Sequence, residues 1–324
     1  MGDKAIKLSI IIPVYNSQET IGRLVDRLVE TIQGYDLEII LVNDYSTDNS
    51  HEVCLRKYES YPQIIRYFKL SKNFGEHNAV LAGLNYAAGD YIVTMDDDFQ
   101  NPPEEVSEIV DYMHRNRFDV VYSYYEEKKH SWFRNMGSRF NNRVVTFLLK
   151  KPSDLYLSSF KCINRFLADE IIKYHGPYPY IDGLILRVTR NIGQILVRHE
   201  ERALGKSNYT IRKLISLWLN MFINFSITPL RISLFIGAAL TAFGFLLILY
   251  FLLDKYLWNP YDEWPSGWAS LLVIVITFSG TQLISLGLIG EYLGKLFLTN
   301  NGTPQFIIRE QHAKSENNNK TVSK

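Results

Sequence analysis

Cysteine is scarce in this chain: Cys54 and Cys162 are the two thiols among 324 residues. Two cysteines make no disulfide framework; they fit a reducing compartment, and each reads as a small buried apolar residue. An excess of one charge is also missing. The formal net charge is +1, so no global field points to nucleic acid, and no nucleic-acid partner is expected. No Gly-x-Gly-x-x-Gly follows the first apolar run, which argues against a dinucleotide enzyme. No Gly-x-x-x-x-Gly-Lys-Ser/Thr is present either, which excludes a P-loop ATPase. The N-terminus lacks the shape of a signal peptide, because the apolar run 8–14 is too short and contains Pro13. No internal repeat is visible.

What the chain does have is uneven along its length. Residues 1–210 read as a soluble domain. Residues 230–253 carry one charge, Arg231, at their edge, and residues 268–290 carry none. Each run exceeds the ~20 residues needed to cross a bilayer, and a buried core hairpin is the alternative. The segment between them holds Trp258, Tyr261, Trp264 and Trp268, as a headgroup belt does, together with Asp254, Lys255, Asp262 and Glu263. Basic residues flank the pair outside: Arg212, Lys213 and Arg231 before it, Lys295 and Arg309 after it. The positive-inside rule then places both termini in the cytoplasm and the acidic loop outside. The expected organisation is a catalytic domain over 1–210, an amphipathic interfacial helix over 211–228, a two-helix transmembrane region over 229–300, and a partly disordered tail over 301–324.

Within 1–210, apolar runs alternate with helical patterns. Strands are expected at 8–14, 37–42, 64–70 and 91–95, with helices between them, the first opened by Ser17-Gln18-Glu19-Thr20. Continuous apolar strands separated by helices predict an α/β, Rossmann-like, mostly parallel sheet covered on both faces. Ligands of such sheets bind at the carboxyl ends of the strands, where Pro13, Tyr15, Asp44, Asn73, Asp96 and Asp98 all fall. The sharpest feature is Asp96-Asp97-Asp98 after the fourth strand. Three adjacent carboxylates repel one another and call for a cation. Asp96 and Asp98 share one side of an extended chain, a donor pair that suits Mg²⁺ or Mn²⁺ shared with a substrate diphosphate. A bare Asp-x-Asp can also be a solvated acidic turn.

Two stretches read as helices on a membrane surface. In 131–151, Trp132, Met136, Phe140, Val144, Phe147 and Leu148 recur at helical spacing while Arg134, Arg139, Arg143, Lys150 and Lys151 occupy other faces. The stretch 211–225 leads straight into the first apolar run. A domain helix with a solvated basic face is the alternative for the first.

As a set, these residues resemble the polyprenyl-phosphate glycosyltransferases of inverting glycosyltransferase family 2. The motifs are Ile12-Pro13-Val14-Tyr15-Asn16, Asn43-Asp44-x-Ser46-x-Asp48, Asn73-x-Gly75-x-x-x-Ala79, Asp96-x-Asp98-x-Gln100-x-Pro102-Pro103-Glu104, Ser131-Trp132-Phe133-Arg134 and His199-x-x-Arg202-x-x-Gly205-x-Ser207-x-Tyr209. The resemblance covers roughly 7–300. It implies a glycosyltransferase A-type domain followed by two membrane helices, in the bacterial cytoplasmic membrane, as a homo-oligomer. It implies a UDP-linked sugar donor and an undecaprenyl phosphate acceptor, with transfer by inversion. Pro13, Tyr15, Asn16, Asp44 and Asn73 would hold the nucleotide sugar, with Asp96 near the ribose or sugar. Asp98 and Gln100 would hold the metal, and Asp96, Asp98 and Gln100 form the implied catalytic group. Arg202 and Ser207 lie in a segment that closes over the donor. Arg134 and Ser138, four apart on one helical face, would grip the lipid phosphate, with Lys128 replacing an Arg that relatives carry near Tyr125. Tyr45 stands where relatives carry Gly, and Ser17 where they carry Glu. A processive polysaccharide synthase would need a Gln-x-x-Arg-Trp-like motif and more spans, and neither is found.

Overall fold

The structure is a computed structural model that describes residues 6–125, 151–152, 154–176, 178–198, 228–253 and 267–313. The chain divides into two units, Met1–Tyr209 with Gly302–Lys324, and Thr210–Asn301. Arg134, Ser138, Lys128, Arg202 and Ser207, and both surface helices, lie outside the described residues.

The first unit is built on strands β1 (Lys7–Val14), β2 (Asp36–Asn43), β3 (Ile65–Leu70), β4 (Tyr91–Thr94), β5 (Val120–Tyr124), β6 (Lys161–Asn164), β7 (Ile192–Leu196) and β8 (Ile308–His312). Helices α1 (Ile21–Thr31), α2 (Ser50–Ser60), α3 (Glu76–Tyr86), α4 (Glu104–Asn116), α5 (Arg165–Ile171) and α6 (Ile181–Val188) cover them. One eight-stranded sheet runs β7-β5-β6-β4-β1-β2-β3-β8. The four strands β4-β1-β2-β3 are parallel, β6 runs antiparallel between β4 and β5, and β8 closes the far edge antiparallel to β3. The expected mostly parallel α/β sheet is therefore present.

The reason is visible in the core. Residues 10–12 and 39–42 are completely buried isoleucines, leucine and valine, the composition of strands covered on both faces. α1 buries Ile21, Leu24, Val25 and Leu28, one stripe at helical spacing. α3 comes very close to β1: a Cβ on Gly83 would stand 2.4 Å from the Ile11 side chain, so a side chain there would force the helix off the sheet.

One local expectation fails for a stated reason. The first helix begins at Ile21, not at the Ser17 capping sequence, because the Ser17 hydroxyl is taken by the Asp97 carboxylate. Ser17 instead closes a turn, its carbonyl accepting from the Thr20 and Ile21 N–H groups. Within the tail, Ile308–His312 is a strand of the sheet, although its polar sequence carries no strand signal.

The second unit contains α7 (Thr228–Leu253) and α8 (Trp268–Asn300), 26 and 33 residues long. They coincide with the two apolar runs, and the Ser233 and Ser285 hydroxyls meet at 2.6 Å between them. Among the described residues no helix is long and apolar enough to cross a membrane, so the fold alone does not establish the expected spans. Leu234, Phe235, Leu283 and Ile284 are all about 70 % exposed.

Candidate active site

The sheet order reverses at β1: β2 lies on one side and β4 on the other. The last β1–β4 pair is Ile11 with Thr94, whereas β1 stays paired with β2 through Val14. The carboxyl ends therefore part between β1 and β4, which is where open α/β sheets bind ligands. Tyr15 and Asn16 leave one strand there and Asp96–Asp98 leave the other.

Each of the three carboxylates is turned to a different neighbour. Asp96 accepts a 2.6 Å hydrogen bond from the Ser159 hydroxyl, just before β6. Asp97 turns to the β1 side, accepting from the Ser17 hydroxyl and from the Tyr15 N–H. Asp98 is buried, and its Oδ1 accepts from the Gln100 N–H within its own turn. Phe99 completes that turn in the left-handed region at φ 62°. Asn16 (φ 56°) and Tyr45 (φ 61°) are held in the same region at the ends of β1 and β2. Three non-glycine residues in this conformation at adjoining strand ends are a cost of order 1 kcal/mol each, which the surrounding contacts must offset. At Tyr45 the left-handed backbone explains why a glycine would be at ease there.

The loops after β1 and β2 are laced together. The Asn16 side-chain oxygen accepts from the Thr47 N–H at 2.8 Å, and the Asn16 N–H donates to the Ser46 hydroxyl at 3.1 Å. Asp44, almost fully buried, has both oxygens engaged already, by the Phe74 N–H at 2.7 Å and the Gly75 N–H at 2.8 Å. Asp44 therefore pins the β3–α3 loop, and any ligand meets its remaining lone pairs. Asn73, the residue before Phe74, is exposed at the same edge. Of the expected residues, Pro13, Tyr15, Asn16, Asp44, Asn73, Asp96, Asp98 and Gln100 fall at the carboxyl ends of β1 to β4 or in the loops they open.

The field of the site is negative. Burial raises the Asp96 carboxyl to about 6, helped by the charge of Glu76. Burial also raises Asp97 to about 7, with Asp96 and Asp98 adding repulsion, against the Ser17 and Tyr15 hydrogen bonds. Glu76, at the first turn of α3, is pushed up too, chiefly by the protein around it, although its side chain stays in contact with solvent. Lys161 draws Asp96 partly back down. Lys161 is itself buried, held by Asp182 at 2.5 Å, with the Tyr122 hydroxyl donating to the same Asp182 oxygen at 3.0 Å. Sequence reading missed Ser159, Glu76, Lys161 and Asp182. Glu76 looks like an ordinary first-turn acid, and the others lie in segments without a motif.

Among the described residues no three His, Cys, Asp or Glu side chains converge as a protein-only metal cage. Two carboxylates at one strand end do fit a divalent cation whose remaining ligands are substrate phosphates and water. Such a cation would favour the charged form of Asp96 and oppose its rise.

Asp97 carries a pH consequence. Its folded-state value near 7 lies above the ordinary value of 3.8, so between about pH 4 and 7 the folded state holds a proton that the unfolded state has lost. Stability from this group is present at the acid end and is lost as pH rises through that window. In EDTA, Asp97→Asn should flatten the fall in Tm between pH 5.5 and 7.5; an unchanged slope would remove Asp97 as its source.

Comparison with known proteins shows the family. The model of the family "Glycosyl transferase family 2" matches residues 9–172. The undecaprenyl-phosphate 4-deoxy-4-formamido-L-arabinose transferase of Serratia proteamaculans is 31 % identical over 318 residues, 97 % of this chain and 96 % of the relative. The enzyme of the same name from Yersinia pestis is 32 % identical over 324 residues, 98 % of both chains. Among solved structures, glucosyl-3-phosphoglycerate synthase from Mycobacterium tuberculosis, in complex with Mn²⁺, UDP and glucosyl-3-phosphoglycerate, shares the fold at TM-score 0.51. It is 17 % identical, covering 67 % of this chain and 78 % of that one.

Proposed function

We propose that this chain, which belongs to glycosyl transferase family 2, moves a sugar from a UDP-linked donor to a polyprenyl phosphate, undecaprenyl phosphate in a bacterial membrane. The observation that carries the reading is the Asp96–Asp98 turn at the point where β4 parts from β1. The names of relatives at 31–32 % identity over almost the whole chain support the acceptor class. The solved neighbour with Mn²⁺ and UDP supports the donor class.

In this reading Pro13, Tyr15, Asn16, Asp44 and Asn73 receive the nucleotide, with Arg202 and Ser207 closing over it. Asp98 and Gln100, beside Asp96, would hold Mg²⁺ or Mn²⁺, which neutralises charge developing on the departing diphosphate. Arg134, Ser138 and Lys128 hold the lipid phosphate. One of its oxygens, already ionised at neutral pH, forms the new bond to the anomeric carbon as the bond to the diphosphate breaks. In-line displacement inverts that centre. No strong general base is needed, and positioning and charge stabilisation carry the rate.

The test is incubation of membranes holding the protein with labelled UDP- and GDP-sugars and undecaprenyl phosphate. Label should enter the lipid fraction from a UDP-sugar; no lipid-linked label from any donor would overturn the reading.

Although no helix among the described residues is by itself long and apolar enough to cross a membrane, the apolar runs 230–253 and 268–290 of the full sequence are read as membrane spans, each exceeding the ~20 residues that a bilayer requires. The chain leaves the sheet unit after Tyr209 and returns to it at Gly302, so two crossings bring both ends back to the same side. A cysteine placed at Ser266 should react with an impermeant thiol reagent from outside, and one at Ser315 should not. The reverse labelling would contradict a cytoplasmic donor site.

A further inference from the structure

After α8 the chain returns to the sheet unit, and the return is anchored. The Gln305 side chain donates to the Tyr174 and Gly176 carbonyls at 2.8 Å, and the Ser71 N–H donates to the Ile307 carbonyl at 2.8 Å. β8 then pairs with β3, setting Glu310 opposite Lys69 and His312 opposite Tyr67. From Glu310 a line of polar contacts runs inward. Its two oxygens face Lys69 Nζ at 3.3 Å and His51 Nε2 at 3.6 Å. His51 Nδ1 meets the Tyr67 hydroxyl at 2.8 Å, and Asn43 Nδ2 donates to that hydroxyl at 3.0 Å. Asn43 Oδ1 accepts from the Ser46 N–H at 2.8 Å, and the Ser46 hydroxyl accepts from the Asn16 N–H.

One tautomer of His51 satisfies every group: Asn43 gives to Tyr67, Tyr67 gives to His51 Nδ1, and the protonated Nε2 is left to the Glu310 carboxylate, a charge contact at 3.6 Å rather than a hydrogen bond. Tyr67 and Asn43 are completely buried, so a phenol or amide left unpaired there is unfavourable. The His312 ring stacks on Tyr67, centroids 5.9 Å apart.

We infer that β8 is a strap, and that Glu310 is a positioning residue for the nucleotide-sugar loop, acting through His51, Tyr67 and Asn43 on Tyr45–Thr47. The strap holds the loop that Asn16 and the left-handed Tyr45 share, using a strand that the chain makes only after the helical pair is complete. The link to donor binding rests on the function proposed for this edge of the sheet, whereas the strap itself does not.

The test uses the full-length protein and two readouts. Glu310→Gln keeps the size of the side chain and removes its charge; Tyr67→Phe removes the hydroxyl. Amide hydrogen exchange at Tyr45–Thr47 should quicken about 5- to 10-fold in each, with Tm little changed in Glu310→Gln and lowered in Tyr67→Phe, which strands the buried Asn43 amide. The double variant should quicken no more than the larger single one, because both cut one line. Affinity for UDP should fall by a similar factor, with the apparent KM for undecaprenyl phosphate unmoved, and Glu310→Asp should restore part of both. Unchanged exchange at Tyr45–Thr47 overturns the strap, whatever the enzyme transfers. Quickened exchange with unchanged UDP affinity overturns the positioning role. Quickened exchange in a protein whose wild type binds neither UDP nor GDP upholds the strap and overturns the donor assignment instead.

Discussion

Asp98→Ala is expected to abolish transfer while the protein still folds and inserts. Asp98 is buried at the end of β4, and its Oδ1 shapes its own turn by accepting from Gln100. A buried carboxylate among neighbouring carboxylates is costly, and a cation that met it would offset that cost. Losing one charged ligand should cost several kcal/mol of transition-state stabilisation, a rate loss of about a thousandfold or more. EDTA should stop the wild type to the same extent, with added Mg²⁺ or Mn²⁺ restoring it. Near-normal turnover of Asp98→Ala, together with indifference to EDTA, would remove the metal from the account. Asp98→Asn keeps the turn geometry, so its activity separates loss of the charge from loss of the turn.

The second large effect is at Arg134. Arg134→Ala should weaken lipid-phosphate binding by about 1.5–3 kcal/mol, the range for a hydrogen bond to a charged group, or roughly 10- to 150-fold. Arg134 follows Trp132-Phe133 in an amphipathic stretch and lies four residues before Ser138. A guanidinium presents a fork of donors that matches phosphate oxygens. The apparent KM for undecaprenyl phosphate should rise, kcat should fall, or both, while UDP affinity barely changes. Arg134→Lys should recover only part, because a point charge lacks the fork. Weakened donor binding with unchanged lipid affinity would move the basic stretch to the donor side or to a purely interfacial role.

The parallel strands were legible because both their faces are covered. Ile10 to Ile12 and Ile39 to Val42 are continuous apolar runs, so no partner strand is needed to recognise them. β6 and β8 were not legible, since their identity is decided by neighbours distant in the chain. β6 begins at Lys161, a charge that is tolerable in the core only because Asp182, 21 residues on, holds it. β8 reads Ile-Arg-Glu-Gln-His, and its place depends on the edge that β3 leaves open. The same reason explains the displaced start of α1, where a carboxylate 80 residues away takes the Ser17 hydroxyl. At the site, the positions of Asp96, Asp98, Tyr15 and Asp44 followed from the rule that strand ends bind ligands. The task of Asp44 in pinning the Phe74–Gly75 turn did not, and neither did the partners Ser159 and Glu76, which reach the site through the fold alone.

In the proposed reaction a phosphate oxygen of the lipid displaces a nucleoside diphosphate from the sugar. The measurement that tests it most directly is the nucleotide released per lipid-linked sugar formed, from a donor labelled in both its base and its sugar, with undecaprenyl phosphate as acceptor. UDP is expected in one-to-one ratio with a lipid product that retains a single phosphate. Release of UMP, with a lipid carrying a diphosphate-linked sugar, would show that a phosphosugar rather than a sugar is moved and would contradict it.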